Sequence, residues 1–262
     1  MTTVTVAAAQ MDIGFERPER NYSSAARLAE NAARRHADLF ILPEMFATGF
    51  SMNTELVAEE SSGRTPKFLE SLASRYQMYV AASYVKIDVE GRMHNMGVVF
   101  DRDGRLIHEY AKIHLFSPGG ESKAFCPGNT VPTFCINGVR FVLFICYDLR
   151  FPEIFRMVAK EVDAAVVVAN WPGTRQEHWD CLLRARAIEN QQYLVGVNRI
   201  GESDGLVYNG GSVVVSPGGQ IIASCASAED ILVGKIDSSI VAETRQAFPV
   251  LADMRLGTGV ER

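Results

Sequence analysis

The chain has 262 residues, 47% of them hydrophobic and 22% charged, which supplies a sizeable core and argues against disorder. Its formal net charge of −5 offers no attraction to nucleic acid or an anionic membrane, and no apolar run reaches the length of a membrane span. Five cysteines, Cys126, Cys135, Cys146, Cys181 and Cys225, are scattered and form no C-x-x-C pair. That pattern excludes a disulfide framework and a structural zinc site, and fits a reducing, cytoplasmic compartment.

The N-terminal Met-Thr-Thr-Val-Thr-Val-Ala-Ala-Ala-Gln lacks the basic flank of a secretion signal, so Val4 to Gln10 reads as a first strand. Alanines and Leu28 at helical spacing predict a helix over 18–36, and Asp38 to Leu42 is a short strand that Pro43 stops. A helix from Pro66 to about Gln77 and a strand from Tyr79 to Val85 follow. Then the character changes. Val85 to Asp88, His94 to Asp101 and Arg105 to Tyr110 are separated by Glu90-Gly91 and Asp103-Gly104, which predicts antiparallel hairpins. The stretch 117–130, rich in Gly, Ser and Pro, reads as irregular.

The pattern then restarts. Asn137-Gly138 joins strands 133–136 and 140–145 in a hairpin, and Pro152-Glu153 opens a helix. A strand over 164–169, a helix over 178–190 and a strand over 193–198 come next. Strands 211–215, 221–224 and 231–236 are expected as hairpin partners around Pro217-Gly218-Gly219, before a helix from Ser238 and an irregular tail from Pro249. Each half runs through strand–helix units into hairpins, with no linker and no repeat in the sequence. One α/β domain over 1–262 with two sheets faced by helices fits this order better than a purely parallel sheet.

Three polar residues lie just past apolar strands: Glu44, Lys112 and Cys146. Singly, Glu44 and Lys112 are as well explained as solvated loop residues, and Cys146 as a buried core thiol. Jointly they are more specific. A cysteine nucleophile wants a base and a nearby cation, a carboxylate can take its proton and later activate water, and a lysine can stabilise an oxyanion. Free N–H groups at the strand-to-helix turn are expected to favour the Cys146 thiolate. His114 and His178 have no second ligand at metal spacing, and there is no P-loop or G-x-G-x-x-G.

Leu42-Pro-Glu-Met-Phe46, Lys112-Ile-His-Leu-Phe116 and Cys146-Tyr-Asp-Leu-Arg-Phe-Pro-Glu153 resemble the three signature segments of the nitrilase (carbon–nitrogen hydrolase) superfamily. The resemblance runs from Ala8 to Pro249. It implies a four-layer α-β-β-α sandwich of two mixed sheets flanked by helices, paired into a homodimer or higher homo-oligomer. It also implies Glu44 as general base, Lys112 as transition-state stabiliser, Cys146 as nucleophile, and Glu121 as a second glutamate that positions the lysine. No cofactor and no metal are implied.

Within the superfamily the chain is most similar to the omega-amidase branch, through Ala169-Asn-Trp-Pro172, His178-Trp179, Arg184-Ala-Arg-Ala-Ile-Glu-Asn-Gln191 and Tyr208-Asn-Gly-Gly-Ser212. That branch implies small dicarboxylate monoamides as substrates, of the 2-oxoglutaramate and 2-oxosuccinamate type, cleaved through a thioester. The oxyanion would rest on Lys112 and the Tyr147 backbone N–H. Arg150 matches the arginine that holds the distal carboxylate; the competing expectation is a structural ion pair, for instance with Glu153. Thr174 stands where those enzymes carry a pocket threonine, in a loop shorter than the eukaryotic pattern. Trp171 and Phe116 are expected to wall the pocket. Other expectations are a carbamoyl-amide or short aliphatic amide hydrolase, or a non-catalytic binding protein of the same fold.

Overall fold

The computed structural model describes residues 2–203 and 205–255. Its first half begins with β1 (Thr3–Gln10), α1 (Pro18–Arg34) and β2 (Leu39–Ile41). Proline at the start of α1, Glu19 in its first turn and Arg34 in its last all suit the helix dipole. Buried Ala25, Leu28, Ala29 and Ala32 form the single apolar stripe by which α1 docks. Two short elements that the sequence reading did not anticipate, α2 (Thr54–Val57) and β3 (Ala58–Glu59), lead into α3 (Arg64–Tyr76). Gln77 ends α3 in a left-handed conformation, one residue inside the expected boundary.

β4 (Tyr79–Ile87), β5 (Met93–Phe100) and β6 (Leu106–Ala111) are the expected antiparallel hairpins, with the first two predicted strands fused into one. The stretch read as irregular holds a four-residue helix, α4 (Glu121–Ala124). In the second half, β7 (Thr133–Ile136), β8 (Val139–Ile145), α5 (Pro152–Val158), β9 (Ala164–Ala169), α6 (Gln176–Asn190) and β10 (Tyr193–Asn198) follow the predicted order. The hairpin β11 (Ile200–Ser203) and β12 (Leu206–Asn209) was not anticipated. β13 (Val213–Val215), β14 (Ile221–Ser224), β15 (Asp230–Asp237) and α7 (Ser238–Ala247) complete the chain. The tail from Pro249 passes through turns to Arg255, and the rest of it lies outside the described residues.

One sheet has the order β15-β1-β2-β4-β5-β6, with β3 beside β4; the other runs β14-β13-β10-β9-β8-β7. Both are mixed, with parallel pairs in the centre and antiparallel strands outside. β15 corrects the expected topology. It pairs along its whole length with β1 rather than with β14, because its apolar residues complete the edge of the first sheet.

Strand parity sets the layers. In β1, Val4, Val6 and Ala8 join the core between the sheets, while Ala7 and Ala9 join the one under α1 and α3. Leu39 and Ile41 of β2 likewise face inward, and Phe40 faces the helices. On the far side Phe155 of α5 and Trp179, Leu183 and Ala187 of α6 pack on the second sheet. The result is the four-layer α-β-β-α sandwich. Gly97 lets β5 approach β8 closely, since a Cβ there would stand 2.8 Å from the Leu143 side chain. Among the described residues no helix is long and apolar enough to cross a membrane.

Candidate active site

Close approach of the two sheets brings three strand ends together. Glu44 follows β2, Lys112 follows β6, and Cys146 follows β8. Pro43 stops β2, and Met45 turns with φ of 45°, its N–H donating to Ser83 Oγ at 2.9 Å. Cys146 has φ of 47° and opens a 3-10 turn, Cys146–Arg150. Left-handed backbone at a residue with a Cβ costs about 1–2 kcal/mol, so both turns are held by their surroundings.

Much of that restraint comes from Asp148, a buried carboxylate that the sequence reading did not single out. Its Oδ2 accepts from Ile145 N at 3.1 Å and Tyr110 Oη at 2.7 Å. Its Oδ1 accepts from His114 N and contacts His114 Nδ1, both at 2.9 Å. Tyr110 and His114 flank Lys112, so Asp148 ties the cysteine turn in one sheet to the lysine segment in the other. His114 also stacks on Phe151, with ring centroids 3.7 Å apart.

Lys112, Glu44 and Glu121 are fully buried. Lys112 Nζ lies 2.9 Å from Glu44 Oε1, and 2.8 and 3.0 Å from the two oxygens of Glu121. The carboxylates are further satisfied. Asn95 Nδ2 donates to both, at 2.9 and 3.0 Å. Asn170 N donates to Glu44 Oε2 at 2.9 Å, and Phe116 N to Glu121 Oε2 at 2.6 Å. Such saturation is what lets three charges persist away from water. Burial alone would pull the Lys112 ammonium down, but Glu44 and then Glu121 outweigh it, so lysine holds its proton beyond the usual range.

Cys146 lies at the edge of this cluster, its Sγ 3.9 Å from the Asn170 carbonyl oxygen. The expectation of a favoured thiolate is corrected. Burial pushes the thiol well above its ordinary range and Glu44 adds to this, while Lys112 opposes only in part. Two carboxylates facing one ammonium leave the cluster net negative, so the resting nucleophile is a protonated thiol beside a carboxylate. Its proton has to leave as the sulfur attacks.

Above the sulfur is a narrow pocket of about 50 Å³. Phe50, Phe116, Tyr147, Trp171 and Tyr208 supply aromatic walls, with Arg150, Asn170 and Arg175 among the polar lining. Of the residues expected here, Arg150, Trp171, Phe116 and Tyr147 all line it, and Tyr147 is the second residue of the turn that Cys146 opens. Thr174 is corrected. It is exposed and does not line the pocket, because the turn Gly173–Arg175 directs the next residue inward instead. That turn is locked by Trp171 Nε1, which donates to the Arg175 carbonyl at 2.8 Å. Among the described residues Arg150 makes no ion pair. Its guanidinium lies 4.7 Å from the Trp171 ring and 3.2 Å from His178 Nδ1, while Glu153 is exposed.

Asn95, Asn170 and Arg175 were missed as well as Asp148. Asn170 and Asp148 sit inside the segments that carry the resemblance, which was the available signal. Asn95 had none, being one asparagine within a strand pattern. Among the described residues no three His, Cys, Asp or Glu side chains are arranged to hold a metal ion.

The carbon–nitrogen hydrolase family matches residues 5–246. The chain is 32% identical to a 2-oxoglutaramate amidase of Bacillus subtilis (strain 168), over 96% of this chain and 97% of that protein. It is 34% identical to an omega-amidase of Escherichia coli (strain K12), covering 82% of this chain and 84% of the relative. A solved structure of a CN-hydrolase superfamily protein from Xanthomonas campestris, with an arsenic adduct in its active site, superposes with a TM-score of 0.91. That pair is 32% identical over 98% of each chain.

Proposed function

Since the chain belongs to the carbon–nitrogen hydrolase (nitrilase) family and is an amide-hydrolysing enzyme similar to the omega-amidases, we propose that it removes ammonia from small dicarboxylate monoamides through a Cys146 thioester. The observation that carries this reading is the pairing of the buried Glu44–Lys112–Glu121 cluster with a cationic pocket directly above Cys146. Substrates of the 2-oxoglutaramate and 2-oxosuccinamate type place an amide at one end and a carboxylate at the other, which matches a reactive floor and an arginine wall.

The chemistry follows from the protonation states. Cys146 Sγ attacks the amide carbon while its proton passes to Glu44, so charge develops on the carbonyl oxygen and not on a resting thiolate. The oxyanion is held by Lys112 Nζ and the Tyr147 backbone N–H, which stands at the start of the 3-10 turn without an intrahelical partner. Glu121 keeps the ammonium in place. On collapse the C–N bond breaks, Glu44 returns its proton to the nitrogen, and ammonia departs. Water then attacks the thioester with Glu44 as base, the C–S bond breaks, and the sulfur regains a proton as the acid leaves. Ammonia release from a panel of small amides tests the assignment. Preference for an uncharged amide over the carboxylate-bearing ones would remove the omega-amidase reading.

In this scheme Arg150 pairs with the distal carboxylate, a geometry that suits a planar guanidinium. Arg150→Gln should raise KM and lower kcat/KM for 2-oxosuccinamate by about 2–5 kcal/mol, the cost of leaving a buried charge single. An uncharged amide of similar length should lose far less. Equal losses on both would make Arg150 a structural residue.

The enzyme is also expected to pair as at least a homodimer. Met157 on α5 and Ile188 on α6 are half-exposed, and Ile188 lines an open groove with Val213, Val215 and Ile221. Sedimentation at micromolar concentration should show twice the chain mass, and a monomer alone would count against the pairing. The free cysteines fit work in the reducing cytoplasm.

A further inference from the structure

The pocket above Cys146 holds a second guanidinium that the proposed chemistry has not used. Arg175 lies against the Phe116 ring at 5.5 Å, while Arg150 lies against Trp171 at 4.7 Å and 6.0 Å from the Tyr147 ring. Phe116 and Tyr147 meet edge to face at 5.1 Å, and Trp171 holds the Arg175 backbone through its indole N–H. The pocket lining therefore sets two cations among three aromatic rings.

Among the described residues neither cation has an acid to answer it. Among the described residues Arg175 makes no side-chain hydrogen bond and no ion pair, and the one side-chain hydrogen bond of Arg150 is to His178 Nδ1. Among the described residues no Asp or Glu lines the pocket. The arrangement carries a cost: burial and the neighbouring Arg175 charge both disfavour the Arg150 cation. Aromatic faces offset part of that at each arginine, but they cannot neutralise it. Two partly buried like charges across a narrow pocket, in a protein of net charge −5, form a site for a compact anion.

We propose that Arg175 is a second specificity-determining residue, closing with Arg150 on the 2-oxo-carboxylate end of the substrate and excluding amides that carry an α-ammonium group there. This rests on the omega-amidase reading. A carboxylate with an adjacent oxo group presents three acceptor oxygens in one plane, more than one fork can saturate, so two guanidiniums have separate work. The 2-amino counterpart replaces the oxo acceptor with a cation. It would bring a third positive charge into a pocket that already holds two, which is the repulsive element that specificity requires.

The experiment compares wild type, Arg175→Gln and Arg175→Lys on 2-oxosuccinamate, asparagine and the uncharged butyramide, each followed by ammonia release. Arg175→Gln should raise KM for 2-oxosuccinamate about 10-fold or more with kcat changed less, as expected when ground-state and transition-state binding are lost together. Its loss on butyramide should be at least about 10-fold smaller, and the preference for 2-oxosuccinamate over asparagine should shrink as one cation is removed. Arg175→Lys should recover part of the preference, since it restores the charge without the fork. Equal losses on 2-oxosuccinamate and butyramide, or an unchanged KM for 2-oxosuccinamate, would overturn the role of Arg175 while leaving the omega-amidase reading intact. Wild-type enzyme that prefers butyramide would overturn both.

Discussion

Lys112→Met is expected to lower turnover by about 10²-fold or more and to destabilise the fold by about 3–5 kcal/mol, because it removes an oxyanion partner and breaks a buried ion cluster in one step. In the wild-type protein three charges share a volume with no exposed surface, and among the described residues the ammonium is the only cation between Glu44 and Glu121. Without it two carboxylates face each other across Asn95, which can donate to both but carries no charge. They cannot both stay ionised, so the folded variant takes up a proton that the unfolded chain does not hold.

The sign of the pH dependence follows. A folded-state group that binds a proton more tightly than its unfolded counterpart loses stability as pH rises, so Lys112→Met should be least stable toward alkaline pH. In the wild type the lysine itself is the raised group. Its contribution is complete below the unfolded lysine range, near pH 10.4, and is lost only above it. The wild type should therefore show no lysine-linked loss below that range, whereas the variant loses stability as pH rises above the ordinary carboxylate range. Adding Glu121→Gln to Lys112→Met should restore stability and not turnover, since one carboxylate is removed but no oxyanion partner returns. Denaturant melts at several pH values and a kcat measurement check this together. A Lys112→Met variant with turnover within a few-fold of wild type would remove the lysine from the chemistry.

Cys146→Ala should abolish turnover, by at least about 10⁴-fold, because no other nucleophile can form the covalent intermediate. Its effect on the fold should be small. The side chain is short and partly accessible from the pocket, and it donates only a 3.9 Å contact to the Asn170 carbonyl. Loss of the thiol also leaves the Asp148 hydrogen bonds that hold the turn untouched. Circular dichroism and a melting temperature within a few degrees of wild type would separate this variant from Lys112→Met.

The same cysteine gives a second readout. With a protonated resting thiol, alkylation of Cys146 at neutral pH should be slow relative to exposed Cys135 and Cys181, and a substrate-derived acyl adduct should still form on it. Mass spectrometry that placed the acyl group on Cys181 instead would sink the thioester assignment. Detectable ammonia release by a verified Cys146→Ala protein would do the same.

Sequence alone determined whatever depends on short-range pattern. Strand patterns ending at Leu42, Tyr110 and Ile145 placed Glu44, Lys112 and Cys146 just past strand ends, because side-chain alternation and turn chemistry are local. The three segments around them carried the family resemblance, and with it the sandwich and the amidase class. Tertiary structure decided the rest, because it depends on which distant groups meet. β15 returns to β1 across more than two hundred residues, and no local signal separates that partner from β14. Asn95, Asp148 and Asn170 are ordinary polar residues until two sheets close and leave buried carboxylates and a turn that require their hydrogen bonds. The protonation of Cys146 reversed the local expectation for the same reason. Turn N–H groups favour a thiolate, but burial beside Glu44 and Glu121 outweighs them and a single ammonium. The Gly173–Arg175 turn leaves Thr174 in solvent and Arg175 in the pocket, a geometry held by the indole of Trp171 and not legible in the sequence of the loop.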